Sequence, residues 1–469
     1  MKEFLCKSDK RRLDIIEYLI ENPGQSVINI KNELNCSVNT VTEDIAKLNL
    51  QIYPISIQNA KGYFLNIPDN YSQKYIYSSF FHSSVELKCL EIIFFNPDLT
   101  MEELSYKLYV SETTVRRTIF RLNSVLIRQK ISITTNRVKF VGSEKPLRIL
   151  FAIFFSEKYS FDELPLSASH SRALNEIVEV LSEVFHRVLN YHEVQTIRLW
   201  IWIGIVRTQH KNWISIEKKD LRINKIYQVI SEKPQLIDFF ENTLKIEVTK
   251  TNIFSVFYVI FQNNFLLDNE TLINVVHLED FYEHECLLES LEKKFDLRLT
   301  NREYVLTKIE NINRKLLDTS YILYPDAQLF YSSFCDEFPK FSECCLSKIK
   351  RLYENRNSVP YIVFYTLITS WKNLTLQLHR KKTQKKVLLF FDTDIEHLQM
   401  LKQFFDLKYI GKVEITISSS LCLEELEEES EAYDLIITNL MNLQINHKPI
   451  FAMNLLPSRI DWEKLNDRL

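Results

Sequence analysis

A constant shift of 74 residues carries the opening of this chain onto itself: Leu34, Ser37, Thr40, Val41, Ile45, Leu48 and Asn49 land on Leu108, Ser111, Thr114, Val115, Ile119, Leu122 and Asn123. Self-similarity of this kind requires one supersecondary unit to fold twice. In each copy the apolar residues recur at the spacing of one helix face. The order read from them is helix, helix, turn, helix and then two strands. The helices are expected at about 8–22, 27–34 and 38–49, and again at about 85–95, 101–108 and 112–126. Ser26, Ser37, Thr100 and Ser111 stand at N-cap positions. There a side-chain oxygen satisfies N–H groups that the first helical turn leaves unpaired.

After its last helix each copy carries a strand pair, "ISIQNAKGYFLNI" (55–67) and "ISITTNRVKFVG" (131–142). Alternating β-branched residues around a polar, cationic tip predict a hairpin wing. Helix-turn-helix plus wing is the layout of a winged helix, whose third helix enters the DNA major groove while the wing reaches the backbone. In "SETTVRRTIFRLNSVL" (111–126) Val115, Ile119, Leu122 and Leu126 share one stripe, which predicts their burial. The opposite face is centred on Thr113, Arg117, Phe120 and Ser124, flanked by Arg116 and Arg121.

Charge separates the copies. From 111 to 148 nine basic residues (Arg116, Arg117, Arg121, Arg128, Lys130, Arg137, Lys139, Lys145, Arg148) oppose Glu112 and Glu144, a balance of +7. Such a surface favours phosphates through charge pairing and counterion release. The corresponding helix of the first copy turns Asn39, Glu43 and Ala46 outward, with Thr42, Lys47 and Asp44 nearby. Lys7, Lys10, Arg11, Arg12 and the wing residue Lys61 remain there for backbone contact. The second copy is therefore expected to supply most of the affinity and the first to add register. Candidate DNA contacts are Ser37, Asn39, Thr40, Thr42 and Lys61 in the first copy. In the second they are Ser111, Thr113, Thr114, Arg116, Arg117, Arg121, Arg137 and Lys139. Arg117 is the candidate for a bidentate guanine contact. Phe120 could meet a thymine methyl, another domain or another subunit.

Composition closes off other chemistries. The chain has five glycines in 469 residues, so neither GxGxxG nor GxxxxGK[ST] can be written. That scarcity also argues for a mainly helical protein with few tight hairpins. No two of the eight cysteines have CxxC spacing, which argues against a zinc knuckle and for free thiols in a reducing cytoplasm. No cofactor or metal is expected. The start, "MKEFLCKSDKRRLD", has no apolar signal core. "LWIWIGIV" (199–206) and "IFSVFYVIF" (253–261) fall short of the roughly 20 residues that span a bilayer, so no membrane partner is expected.

The length requires several domains. From about 160 to 380 Phe, Tyr, Ile and Leu recur at helical spacing, fitting two helical bundles divided near 275–290. Helices are expected over "ALNEIVEVLSEVFHRVLN", "QTIRLWIWIGIVRTQ", "TKIENINRKLLD" and "VFYTLITSWKNLTLQLH", with "HRKKTQKK" (379–386) as a linker. Beyond it the period changes. "KVLLFF", "VEITIS" and "DLIITN" read as strands around "DIEHLQMLKQFF" and the acidic "LEELEEESE", a small α/β domain with a parallel sheet. The fold class is thus mainly α and multidomain. Its expected parts are winged helix-turn-helix units at 1–70 and 71–150, helical bundles at 160–280 and 281–380, and an α/β domain at 385–469. Asp392 and Asp394 flank a strand end where α/β sites often lie. With no third ligand to place beside them, an enzyme is not expected.

This order of modules resembles the Mga/AtxA-like transcriptional regulators of Gram-positive bacteria. At the residue level the resemblance rests on "SVNTVTEDIAKLN" and "SETTVRRTIFRLN". It implies that the bundles are phosphotransferase-system regulation domains and that the last domain is enzyme IIB-like. It further implies a DNA-binding homodimer, joined through that last domain and modulated by histidine phosphorylation from the phosphocarrier HPr. Phosphate on histidine would add negative charge able to rearrange a helix interface. Such domains often place Asp-His seven residues before an arginine, but Trp200 stands seven before Arg207. His192, His210 and His379 remain as phosphorylation candidates. The terminal domain has no cysteine after "KVLLFF", so a structural or dimerisation role is expected for it. An RNA-binding antiterminator, the alternative, would need a small β-rich N-terminal module where this chain reads as helical.

Overall fold

The computed structural model describes residues 1–159, 163–186, 188–214, 221–262, 282–315, 321–353, 359–381, 385–409, 412–466 and 468. They form two compact units: Met1–Leu288 with Asn301–Ser370, and Glu289–Thr300 with Trp371–Leu469. The chain is mainly helical, and among the described residues no helix is long and apolar enough to cross a membrane.

The first copy of the repeat comprises α1 (Lys7–Glu21), α2 (Val27–Glu33), α3 (Val38–Gln51) and the antiparallel hairpin β1 (Ser56–Asn59) and β2 (Tyr63–Asn66). Helix α4 (Gln73–Ser83) leads to the second copy, α5 (Val85–Phe95), α6 (Met101–Leu108), α7 (Glu112–Leu126), β3 (Ile131–Ile133) and β4 (Phe140–Gly142). Ser26, Ser37, Thr100 and Ser111 each accept an N–H of the first turn, and Thr100 completes a capping box with Glu103. The equivalence reaches the hydrogen bonds. Asn49 accepts from Ile57 N–H (2.6 Å) and donates to its carbonyl (3.0 Å), while Asn123 does the same to Ile133 (2.7 and 2.9 Å). One asparagine per copy therefore clamps the wing to the third helix. Gly62, at φ +142°, lets the first wing lie against Gly24, whose carbonyl oxygen would stand 2.0 Å from an added Cβ.

Helix α8 (Glu144–Lys158) continues directly from the second wing. Its buried Phe151, Phe154 and Phe155 meet Phe94 of α5 (4.2 Å to Phe151) and Phe81 of α4 (4.9 Å to Phe154). Phe155 also meets Trp202 (5.1 Å), which ties the second winged helix to the first bundle. That bundle consists of α9 (Ala168–Val184), α10 (Tyr191–Gln209), α11 (Leu221–Glu232), α12 (Pro234–Asp238), a π-helical turn (Phe239–Thr243) and α13 (Lys250–Gln262). Gly204 explains the lone glycine in "LWIWIGIV": α10 and α13 approach so closely that a Cβ there would meet the Val256 carbonyl oxygen at 2.1 Å.

Next come α14 (Tyr282–Phe295), α15 (Arg302–Lys315), α16 (Asp326–Glu337), α17 (Pro339–Leu352), α18 (Val359–Ser370) and α19 (Leu374–Lys381). The expected bundle boundary near 275–290 lies partly outside the described residues. The single helix expected over "VFYTLITSWKNLTLQLH" is in fact two. Asn373 takes a left-handed conformation (φ 60°), and the buried Trp371 donates its indole N–H to the Arg298 carbonyl (3.4 Å).

In the second unit, β5 (Lys385–Phe390), α20 (Ile395–Lys408), β6 (Val413–Ile417), α21 (Leu423–Ser430), β7 (Leu435–Thr438), β8 (Ile450–Ala452) and α22 (Arg459–Asn466) form a parallel sheet of order β6-β5-β7-β8. Strand β8 and helix α22 extend the expected pattern. "HRKKTQKK" is no free linker at its ends: His379–Lys381 close α19 and Lys385–Lys386 open β5, with 382–384 outside the described residues. The Asp392 N–H donates to Asn439 Oδ1 (2.8 Å), whose amide returns a bond to the Asp392 carbonyl (3.2 Å), and Asp394 takes the N-cap position of α20.

Glu157 of α8 accepts the N–H groups of Leu323 (2.9 Å) and Tyr324 (3.3 Å), joining the winged-helix region to the segment that leads into α16. Burial raises its carboxyl from the ordinary 4.5 to about 7, against the opposing pull of the nearby N-terminus and these two N–H groups. Between those two pH values the folded chain keeps a proton that the unfolded chain has released, so stability falls as pH rises through that window. Glu157→Gln should flatten this slope, removing a pH-dependent contribution of about 1–3 kcal/mol. Unfolding midpoints of both proteins across the window would check it, and a slope unchanged in the variant would refute it.

Candidate nucleic-acid interface

The third helix of the second copy has two chemically distinct faces. Val115, Ile119, Leu122 and Leu126 are buried as expected, joined by Thr118 and Val125. Thr113, Arg116, Arg117, Phe120 and Ser124 are exposed, Phe120 at 80%. Ser111 caps the helix through the Thr114 N–H (3.2 Å), and its hydroxyl lies 3.0 Å from that of Thr114. Both polar groups thus stand at the N-terminal end of the presented face. Asn123 and the wing fix the helix from behind, so the exposed side chains are displayed on a rigid support.

The charge on this face is smaller than the sequence balance. Arg148 is fully buried: it bonds Glu144, the Ser255 hydroxyl (3.0 Å), the Ser255 carbonyl and the Asn212 carbonyl (2.9 Å). It belongs to the packing of α8 against α10 and α13 and must be removed from the basic surface. Carboxylates outside the 111–148 window hold three more cations: Glu86 binds Arg121, Glu3 binds Arg128 (2.7 Å) and Asp98 binds Lys139 (2.9 Å). Arg116 meets the exposed Glu112 at 3.7 Å, a weak tie in water. Arg137 lies exposed at the wing, 3.4 Å from the Asp98 carbonyl. Among the described residues Arg117, Lys130 and Arg137 have no carboxylate within ion-pair reach.

The first copy repeats the geometry without the charge. Ser37 caps α3 through Thr40 (3.1 Å); Asn39 and Thr42 are exposed on the helix and Lys61 on the wing. Asp44, expected near the outer face, is buried and holds Arg11 (2.6 Å), while Arg12 is bound to buried Asp9. These pairs withdraw both arginines from the expected phosphate-contacting set.

Two exposed aromatics at the turn were not foreseen. Tyr106 (79% exposed) closes on Tyr109 (90%), their rings 6.4 Å apart. Tyr109 ends α6 in the left-handed conformation (φ 54°), the place that Asn35 (φ 48°) takes in the first copy. The 74-residue register alone could have marked that position. Of the histidines, His192 is exposed in the first turn of α10, while His210 is half-buried just beyond the end of that helix. His379 is half-buried on α19. His284, not singled out from sequence, is buried with Nε2 2.8 Å from the Tyr353 hydroxyl.

Comparison with known proteins agrees with this geometry. The family profile of the Mga helix-turn-helix domain matches residues 69–155, and that of an HTH domain matches 11–64. A Streptococcus pneumoniae serotype 4 protein described as a trans-acting regulator is 22% identical over 97% of this chain and 96% of its own length. The anthrax toxin expression trans-acting positive regulator of Bacillus anthracis is 18% identical over 98% of each chain. The capsule synthesis positive regulator AcpA of Bacillus anthracis is 22% identical over 38% of each. With two helix-turn-helix matches on the two copies of the repeat and alignments that run nearly from end to end, the chain is similar to the Mga/AtxA-like regulators along almost its whole length.

Proposed function

We propose that this chain regulates transcription by docking duplex DNA through both winged helices, α7 supplying most of the affinity and α3 the register. The observation that carries this reading is the solvent face of α7. Thr113, Arg116, Arg117 and Phe120 stand on a capped, wing-braced helix, and Arg117 has no carboxylate partner among the described residues. Arg117 is assigned the base contact, while Arg116, Arg137 and the caps Ser111 and Ser37 take backbone phosphates. Arg121 and Lys139 would have to leave Glu86 and Asp98 to join them. Two of the relatives are named positive regulators, and activation is the direction assigned here. Fluorescence anisotropy of the full chain on duplex DNA from its own upstream region, and on RNA of the same sequence, tests the proposal. DNA binding that weakens steeply with salt is expected. Preference for RNA, or binding indifferent to salt, would overturn it.

Control is assigned to the helical bundles, read as phosphotransferase-system regulation domains with HPr as phosphoryl donor. His210 is the best placed of the three candidates. Burial and then the charge of Arg207 hold its pKa below the ordinary 6.5, leaving a neutral ring with a nucleophilic lone pair near neutral pH. His192 and His379 are the others. Mass spectrometry after incubation with phosphorylated HPr should find phosphate on at least one of them; all three unmodified would dispose of this part.

The chain is further proposed to act as a cytoplasmic, non-catalytic homodimer joined through its α/β domain. Helix α20 packs Leu398, Leu401 and Phe405 inward and leaves Met400, Phe404 and Leu407 exposed, an apolar stripe at i, i+4 and i+7. An apolar stripe of this kind marks an interaction surface. Light scattering should report a dimer that Phe404→Glu and Leu407→Glu dissociate.

A further inference from the structure

Four lysine and arginine side chains are buried among the described residues, and three of them stand against a carboxylate: Arg148 and Arg207 against Glu144, and Lys158 against Glu91. The fourth, Arg198 of α10, has none within ion-pair reach among the described residues. It is 8% exposed, and its acceptors are neutral: Nη1 donates to Gln195 Oε1 (3.1 Å) and Nη2 to the Ser171 hydroxyl of α9 (2.9 Å). A guanidinium carries five N–H donors, so these two bonds leave most of its donor capacity unused and its charge uncompensated. A buried charge in that state is costly until a counter-charge joins it.

Arg198 lines an open groove of about 680 Å³ along α9 and α10, within the range of small-molecule sites. Its Nε is sealed from solvent and takes no part. Gln195, which holds Nη1, lines the same groove, so the Nη1 end of the guanidinium is the one open to a ligand. Around it the walls are largely apolar: Val178 of α9, Val194 of α10, and Val188 and Leu189 between the two helices. On the rim stand the exposed Glu179 and Glu183, the latter loosely tied to Lys233 at 3.7 Å. A single negative charge offsets Arg198, whereas a more highly charged anion meets repulsion from the rim. A planar carboxylate matches the guanidinium edge, and an aliphatic body matches the walls.

We propose that this groove binds a small monocarboxylate with an aliphatic body, its carboxylate taken by Arg198 and its hydrocarbon by Val178, Leu189 and Val194. The site lies on the helix that bears on the second winged helix. Nine residues further along α10, Arg207 bonds Glu144, the first residue of α8. A ligand seated at Arg198 therefore loads the same helix that holds α8 behind the second wing.

Calorimetric titration of the full chain without DNA tests this, with isovalerate and hexanoate as probes. Isovaleramide, acetate and inorganic phosphate are the controls, lacking in turn the charge, the body and the single-charged planar head. At least one probe should bind, at millimolar concentration or below, about tenfold more tightly than any control. Arg198→Met should abolish that binding while leaving the thermal midpoint near that of the parent, because a buried unpaired charge gives way to an apolar chain of similar length. Val188→Glu, at a position 96% exposed, keeps the fold whatever Arg198→Met does and should weaken the probe by about tenfold. No binding by either probe, a control that binds as tightly, or an affinity unchanged in Val188→Glu would each overturn the proposal. Because no readout involves DNA or phosphoryl transfer, the outcome is independent of the assignments of α7 and of the histidines.

Discussion

Glu144→Ala should cost about 3–5 kcal/mol of stability, the expected loss when one partner of a buried ion pair is removed. Glu144 opens α8 directly after the second wing, and it is the shared acceptor of two arginines with almost no solvent exposure. Arg207 reaches it twice, from Nε and Nη2 (both 2.8 Å), and Arg148 once (3.1 Å). Burial already pushes the Arg148 guanidinium below its ordinary pKa, with Glu144 pulling the other way and Arg207 adding to the depression. Without the carboxylate two cations would face one another in a site closed to water. Chemical denaturation of the full chain would measure the loss. A variant within about 1 kcal/mol of the parent would show that the arginines can relax to other acceptors. Glu144→Gln keeps the shape and removes the charge, so it should recover only part of the difference.

Replacing Arg116 and Arg117 by alanine should weaken DNA binding by about 10- to 200-fold at moderate salt. A lost bidentate base contact accounts for about 1–3 kcal/mol of that effect, and each lost phosphate contact lowers the salt slope by about one. Both side chains are exposed and Arg117 has no carboxylate partner among the described residues, so the fold should survive; circular dichroism and the thermal midpoint would verify this. Arg128→Ala should do far less, because Glu3 already neutralises that cation at 2.7 Å. Equal affinities for the double variant and the parent would remove α7 as the principal reader.

The helix boundaries of the two copies were legible because their causes are local. Ser37 and Ser111 mark starts through bonds to residues three positions on, and Val115, Ile119, Leu122 and Leu126 show their shared face by spacing alone. The surface charge was not legible, because its causes are distant in sequence. Glu3 neutralises a residue 125 positions away, and Arg148 is sequestered by Ser255, 107 positions away. No window drawn around the recognition helix contains those partners. The break at Asn373 was hidden for a similar reason: Trp371 leaves the helical path to bond the Arg298 carbonyl, 73 residues earlier. Strand β8 has three residues, Ile450–Ala452, too few to display a period of two.

The two copies have also diverged in the polarity of the ion pair that ties their outer helices together. In the first, α1 supplies the cation and α3 the anion, Arg11 to Asp44; in the second, α5 supplies the anion and α7 the cation, Glu86 to Arg121. A graft of α7 into the place of α3 would strip Arg11 of its acceptor and set Arg121 beside a helix already basic at Arg11 and Arg12. The converse graft would set Lys47 in the place of Arg121, beside Glu86, but would bury Asp44 in the place of Thr118 with Val85 standing where Arg11 was. Specificity can therefore be transplanted only by moving a helix together with the neighbour that holds its opposite charge, so each reading head is interchangeable as a whole but not in its parts.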